Sequence, residues 1–381
     1  MPFDMNLVQR GARLRRSPFF EATQRHGAQA YTVYNHMLFP ICFGDLEEEY
    51  WHLVKHVTLW DVAVERQVEI TGHDAFAFTD MLTPRDLSRC AVGQGKYVVL
   101  TAEDGGIIND PVLLRLGANH FWLALADSDV LLWARGVALK SGLRVNITEP
   151  DVSPLQIQGP KARELVRSLF GEAATNLRYY WFFETALDGI PVVVTRTGWS
   201  GEVGYEIYLR DGSRGDALWE RIMEAGRPHK IRPTGPSDIR RIEAGILNWG
   251  ADMTLENNVY EVGLQRLVDE DKRTDYVGRD ALKRIKAEGV TRKLAGIEIE
   301  GDRIEFNATR WPVKAGGETT GRVTSAIWSP RLKKNIGYAM LPVAHAALGT
   351  AVCVEIPGAG ERKATVVALP FLDPSKEIPK G

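Results

Sequence analysis

Two carboxylates set among glycines and aromatic residues are the parts of this chain best suited to chemistry. Asp110 follows Gly105-Gly106-Ile107-Ile108-Asn109 and precedes Pro111-Val112. A carboxylate at the start of an apolar strand, with proline after it, is partly desolvated and can accept a proton or pair with a cationic centre. The same side chain can instead cap a turn. The second segment runs Arg196-Thr197-Gly198-Trp199-Ser200-Gly201-Glu202-Val203-Gly204-Tyr205-Glu206-Ile207-Tyr208. Its glycines, three residues apart, let the backbone pass close to a ligand or another strand. They do not form the dinucleotide fingerprint G-x-G-x-x-G. Glu206 and Tyr208 share one face of a strand. Facing inward beside Trp199, Glu206 can hydrogen-bond a planar heterocycle; facing outward, it belongs to a polar edge strand.

These residues need elements to hold them. Residues 45–58 read as a helix, and 62–70 alternate as a strand. Residues 97–101 and 107–116 read as two strands joined at the turn Asp104-Gly105-Gly106, which is a hairpin signal. A strand is expected at 120–126, a helix at 127–141 ended by Gly142, and a strand at 143–148. The segment 149–162 reads as a loop, a short strand and a helix opened by Pro160. Strands at 190–195 and 205–209 flank the glycine-bearing segment, and helices follow at 213–225 and 237–249. The last hundred residues change character. Short strands at 293–299, 320–327, 336–340, 351–356 and 364–369 predict a small C-terminal β-barrel or sandwich.

Composition narrows the function classes. The chain has 381 residues, 44% apolar and 25% charged, with formal net charge -2. This length predicts two or three domains. Neither a nucleic-acid partner nor a membrane is expected, because there is no basic excess and no long apolar run. The one basic cluster, Arg10, Arg13, Arg15 and Arg16, reads as a solvated arm. The opening residues lack the apolar run of a signal peptide, and Cys42, Cys90 and Cys353 are too sparse for a disulfide framework, so a cytoplasmic protein is expected. His52 and His56 lie four apart without the glutamate of a zincin motif, and no metal site is expected.

Taken together, six motifs resemble the glycine-cleavage T-protein (aminomethyltransferase) family, in order over roughly residues 30–370. They are Gly-Gly-Ile-Ile-x-Asp at 105–110, Gln-Gly-Pro-Lys-Ala at 158–162, the segment 196–206, Val259-Tyr260-Glu261-Val262-Gly263-Leu264, Val277-Gly278-Arg279-Asp280-Ala281-Leu282 and Ser329-Pro330. Residues 31–37, 60–68, 83–86, 109–112, 126–129 and 149–154, and tryptophan at 199, are closer to the dimethylsulfoniopropionate demethylase branch of that family. The resemblance implies an α+β, three-domain ring with a central folate channel and a small C-terminal β-barrel. Residues 1–60 with 152–265 would form the folate-binding domain, 61–151 the second and 275–381 the barrel.

It also implies tetrahydrofolate as the one-carbon acceptor, with Asp110 catalytic and near the pterin nitrogens. Glu206 would bond the pterin ring, and Tyr97, Tyr179, Trp199 and Tyr208 would surround the folate. Tyr31, Tyr34, His36 and Ser128 would bind the methyl donor. Two departures stand out. Ser237 replaces a family arginine that helps hold the folate, and Gly201-Glu202 keep the T-protein pattern rather than the demethylase one. The expected activity is methyl transfer from a small sulfonium acid such as dimethylsulfoniopropionate to N5 of tetrahydrofolate. The alternatives are aminomethyl transfer, which alone would require a carrier protein, demethylation of a methylated amine or betaine, and a non-catalytic folate-binding protein, whose usual Cys motif is missing here. A homodimer is left open.

Overall fold

The computed structural model describes residues 13–381. Arg10 of the basic cluster lies outside the described residues. Arg13, Arg15 and Arg16 are exposed, as a solvated segment predicts, and Arg15 pairs with Glu149 at 2.6 Å and Arg16 with Glu21 at 3.3 Å. The chain divides into two compact units. The first comprises residues up to Gln67 together with Glu149–Ser237, and the second comprises Val68–Thr148 together with Asp238–Lys380.

The first unit is built on a six-stranded sheet. Its strands, in spatial order, are Phe182–Leu187, Ile190–Thr195, Gly204–Leu209, Ser153–Gln158, Val57–Asp61 and Ile231–Pro233. Period-two alternation gives the sheet two different faces. Leu155, Ile157, Tyr205, Ile207, Val192 and Val194 join a buried core with Leu165 and Val166 of helix Ala162–Phe170 and Leu218, Trp219 and Ile222 of helix Gly215–Gly226. The intervening residues Gln156, Thr195, Glu206 and Tyr208 point the other way and are also buried.

Gly204–Leu209 is an interior strand, paired on both sides, so Glu206 does not lie on a polar edge. The helix expected over 45–58 is shorter, Leu46–Lys55. Asp45 caps it by accepting from Glu47 N and Glu48 N, both at 2.9 Å, and Glu47, Glu48 and Glu49 complement its dipole. It stops because the all-buried strand Val57–Asp61 begins two residues later, and residues 62–66 then form a turn rather than continuing a strand.

The second unit contains a five-stranded antiparallel sheet and a closed barrel. The sheet order is Asn146–Thr148, Gln67–Thr71, His120–Ala124, Val112–Gly117 and Gln94–Tyr97. The expected hairpin around Asp104-Gly105-Gly106 forms between Leu100–Thr101 and Ile107–Asn109. The run expected over 107–116 breaks at Asp110-Pro111, since proline cannot donate to a ladder. The helix expected over 237–249 ends at Glu243.

The barrel closes through Arg292–Ile299, Lys334–Pro342, Glu318–Ser329, Trp311–Ala315, Ala351–Ile356 and Gly360–Val367. Trp311–Ala315 is the strand that sequence patterning passes over. It is short, contains Pro312 and carries a bulge at Val313/Lys314. The fold is thus α+β with a C-terminal barrel, as expected.

Candidate active site

The first unit places a carboxyl group inside a ring of donors. Strand register sets Glu206 opposite Gln156 on one neighbour and Thr195 on the other. Gln156 Nε2 donates to Glu206 Oε1 at 2.9 Å. Tyr208 O–H and Thr197 O–H donate to Oε2 at 2.7 and 2.8 Å, and Thr195 Oγ1 lies at 3.5 Å. Four donors favour the charged carboxylate, yet burial outweighs them and raises Glu206 above the usual carboxylate range. The Tyr208 hydroxyl is pushed well above its ordinary value by burial first and then by the charges of Glu206 and Glu65.

Gln156 Oε1 is buried without a hydrogen-bond partner among the described residues. An unfilled acceptor beside a carboxyl that leans toward its neutral form suits a heterocycle edge carrying N–H groups, as a pterin does. Gln156, Thr195 and Thr197 are absent from the sequence-derived site. The signal for them was a polar residue recurring on alternate positions within apolar strands.

The glycines of the 196–206 segment make room for a side chain. A Cβ at Gly198 or at Gly204 would lie 2.3 Å from Gln158 Oε1. That oxygen accepts from Ser200 O–H at 2.6 Å. The close approach is therefore to Gln158, from the neighbouring strand, and it fixes the loop that carries half-buried Trp199. Tyr179 is 38% exposed, lies edge-on to Tyr180 at 4.8 Å and feels the charges of Arg196 and Glu206.

The expected donor-binding residues of this unit lie in the hairpin Ala30–Tyr34 and Met37–Cys42. Its turn residues Asn35 and His36 both have left-handed φ, 48° and 61°. Their side chains diverge. Tyr31 shares a hydrogen bond with Thr23 Oγ1 at 2.8 Å and packs on Phe20, Tyr34 packs on Phe39, and His36 is exposed at the tip.

The second unit gathers Tyr97, Asp110 and Ser128. Tyr97 O–H donates to Asp110 Oδ2 at 2.8 Å. Asn109, fully buried, clamps the neighbouring chain. Its Oδ1 accepts from Ala126 N at 3.0 Å, while Nδ2 donates to Ala126 O at 3.0 Å and to Ser128 Oγ at 2.8 Å. Asp110 keeps some accessible surface, yet crowding protein raises its carboxyl from 3.8 to about 7. Desolvation is the main cause. The Tyr97 hydroxyl opposes it, and the charge of Asp252 adds to it. A carboxyl that titrates near neutrality can take up or hold a proton under working conditions, which a simple turn cap has no need to do.

Residues 19–272 match the GCVT N-terminal domain, and residues 292–373 match the glycine cleavage T-protein C-terminal barrel domain. The chain belongs to the glycine-cleavage T-protein family. Dimethylsulfoniopropionate demethylase of Ruegeria pomeroyi is 42% identical over 354 residues, covering 93% of this chain and 96% of that one. Aminomethyltransferase of Bacillus cytotoxicus is 33% identical over 371 residues, covering 95% and 99%. The crystal structure of glycine cleavage system aminomethyltransferase T from Bartonella henselae shares the fold, with a TM-score of 0.84 at 24% identity over 94% of this chain and 98% of that one.

The protein is, like its T-protein relatives, an enzyme that transfers one-carbon units with tetrahydrofolate as acceptor. No helix among the described residues is long and apolar enough to cross a membrane.

The folate assignment has a direct check. Tetrahydrofolate at 100-fold over its Kd is expected to add about 2.7 kcal/mol of stability. Glu206→Ala, which removes the carboxyl at the centre of the donor ring, should abolish most of that thermal shift. A variant that melts with the full wild-type shift would take Glu206 out of folate binding.

Proposed function

We propose that this enzyme transfers a methyl group from a small sulfonium acid, dimethylsulfoniopropionate or a close onium analogue, to N5 of tetrahydrofolate. The observation that carries the proposal is the 42% identity to the Ruegeria demethylase against 33% to the Bacillus aminomethyltransferase over nearly the same length. A sulfonium methyl needs little further activation, because the leaving group is a neutral thioether. The protein's main task is then to hold donor and acceptor in line, an effect worth up to roughly 7–11 kcal/mol. Bound tetrahydrofolate supplies the nucleophilic amine.

In this reading the chain's own groups have separate tasks. Asp110, with its carboxyl near neutrality, accepts the proton that the amine loses, and Tyr97 O–H fixes the orientation of that carboxyl. Glu206, Gln156 and Tyr208 bond the pterin edge. Trp199 and Tyr179 supply aromatic surface for the folate, and Tyr31, Tyr34, His36 and Ser128 remain the candidates for the donor. Aromatic faces hold a cation at roughly 0.5–2 kcal/mol each.

The test is an assay of enzyme, tetrahydrofolate and free donor, reading out 5-methyltetrahydrofolate and the demethylated thioether. Dimethylsulfoniopropionate is expected to turn over with no carrier protein present. If folate product forms only from an aminomethyl-loaded carrier, the aminomethyltransferase alternative replaces this reading. Turnover of a methylated ammonium acid alone would move the donor to that class.

A further inference from the structure

A surface helix turns an apolar stripe to the core and a polar face to water. The helix Val130–Ser141 of the second unit departs from that rule. Its inner face is ordinary. Val130 and Ala134 are buried, and Val137 and Ala138 pack on the same core. Its outer face carries Leu132, Gly136 and Leu139, which a helical turn sets within about 60° of one another around the axis. Leu139 is 86% exposed and Leu132 66%, two of the three most exposed large apolar side chains among the described residues. A Cβ at Gly136 would meet nothing within 4 Å, so no neighbouring element calls for glycine there, and glycine weakens a helix interior relative to alanine.

The two ends of this outer face differ in sign. Asp129, the N-cap residue, is exposed and makes no capping bond with its side chain, and Lys140 is exposed in the last turn. The strand beside the helix, Asn146–Thr148, is a sheet edge, and Arg135 Nε already donates to its Ile147 O at 3.0 Å. The helix, rather than strand addition at that edge, therefore offers the contact surface.

We infer that this face joins two copies of the chain across a two-fold axis, with the two helices antiparallel. Such a contact uses one patch twice, so the patch must be complementary to itself. An axis midway between Arg135 and Gly136 sets Leu132 of each copy against Leu139 of the other. It also brings Asp129 of each copy to within about 3 Å, measured along the helix, of Lys140 of the other. Gly136 beside the axis lets the backbones approach. A parallel pair would instead set Asp129 against Asp129 and Lys140 against Lys140, which repel. The contact is complete with two copies and does not propagate. One helix face is small for a specific interface, so the dimer is reversible and depends on concentration.

Sedimentation velocity of the full chain tests this. Wild type is expected to pass from monomer to dimer as its concentration rises through the micromolar range. Leu139→Glu should raise the dimer Kd by about 100-fold, because the lost apolar contact occurs twice in each dimer. Its thermal midpoint in dilute solution should stay that of wild type, since Leu139 is exposed. Asp129→Lys and Lys140→Asp should each weaken self-association by about 10-fold, since like charges then meet twice. Mixed together, these two variants should bind each other more tightly than either binds itself, because every charged contact then joins lysine to aspartate. A loss of helix stability would give no such recovery.

A wild type that stays monomeric throughout would overturn the inference. A dimer that forms equally well in Leu139→Glu would place the interface elsewhere and overturn it too. Charge variants that weaken the dimer but show no recovery on mixing would rule out the antiparallel two-fold.

Discussion

Asp110→Asn should lower turnover by about 10²-fold or more while stabilising the protein above neutral pH. The two effects share one cause. Folded, the carboxyl titrates near 7 instead of 3.8, because desolvation disfavours its charge. Between those values the native state holds a proton that the unfolded state has released. Stability from this group is therefore full below about pH 4, declines as pH rises and is flat again above about 7. Asparagine carries no charge to desolvate and can still accept from Tyr97 O–H. The variant should thus melt above wild type at pH 8 and close to it at pH 4, and wild-type kcat should rise with pH through about 7. Near wild-type turnover at saturating donor and folate would leave Asp110 a turn residue and nothing more.

The second large effect is on stability. Arg241 and Asp252 are at most 1% exposed, and their side chains meet at 2.8 Å. Arg241 also donates to Asp238 Oδ1 at 2.6 Å and Ser325 Oγ at 2.9 Å, while Asp252 accepts from Thr324, Ser325 and Asn248 N. Removing one member of a buried pair costs about 3–5 kcal/mol, because the other charge is left uncompensated. Arg241→Met is expected to lose that much in urea unfolding, and the double variant with Asp252→Asn to regain a large part. A loss below about 1 kcal/mol would show that water reaches the pair and screens it. The charge of Asp252 also lifts Asp110, so any Arg241→Met protein that folds should show its activity midpoint displaced to higher pH.

Where a local rule governs, the sequence was a good guide. Gly142 ends the helix Val130–Ser141 in the left-handed conformation that glycine permits, and alternation placed Glu206 and Tyr208 on one face. The family motifs brought out Asp110, Tyr97 and Glu206 before any coordinates. What escaped was register. Gln156 becomes a partner of Glu206 only once Ser153–Gln158 lies beside Gly204–Leu209, and no local pattern in the chain states that pairing. The end of the helix at Lys55 was hidden for a related reason. Val57–Asp61, Val-Thr-Leu-Trp-Asp, is buried on both faces and shows no strict alternation, so its pattern continues a helix as readily as it starts a strand. The role of Gln158 was out of reach, since its contact with Gly198 and Gly204 joins residues about 40 apart.

The central sheet also sets a timetable for the newborn chain. Val57–Asp61 is flanked by Ser153–Gln158 on one side and Ile231–Pro233 on the other. Its second neighbour leaves the ribosome about 170 residues after it does. At roughly 5–20 residues per second, that is a wait on the order of ten seconds or more. Throughout it an apolar strand has an unpaired edge, while the whole segment 68–148 of the other unit is made and can fold first. Chaperones that shield extended apolar segments would have their longest opportunity here, and variants that slow elongation between residues 150 and 230 should aggregate during synthesis even where the finished protein is fully stable.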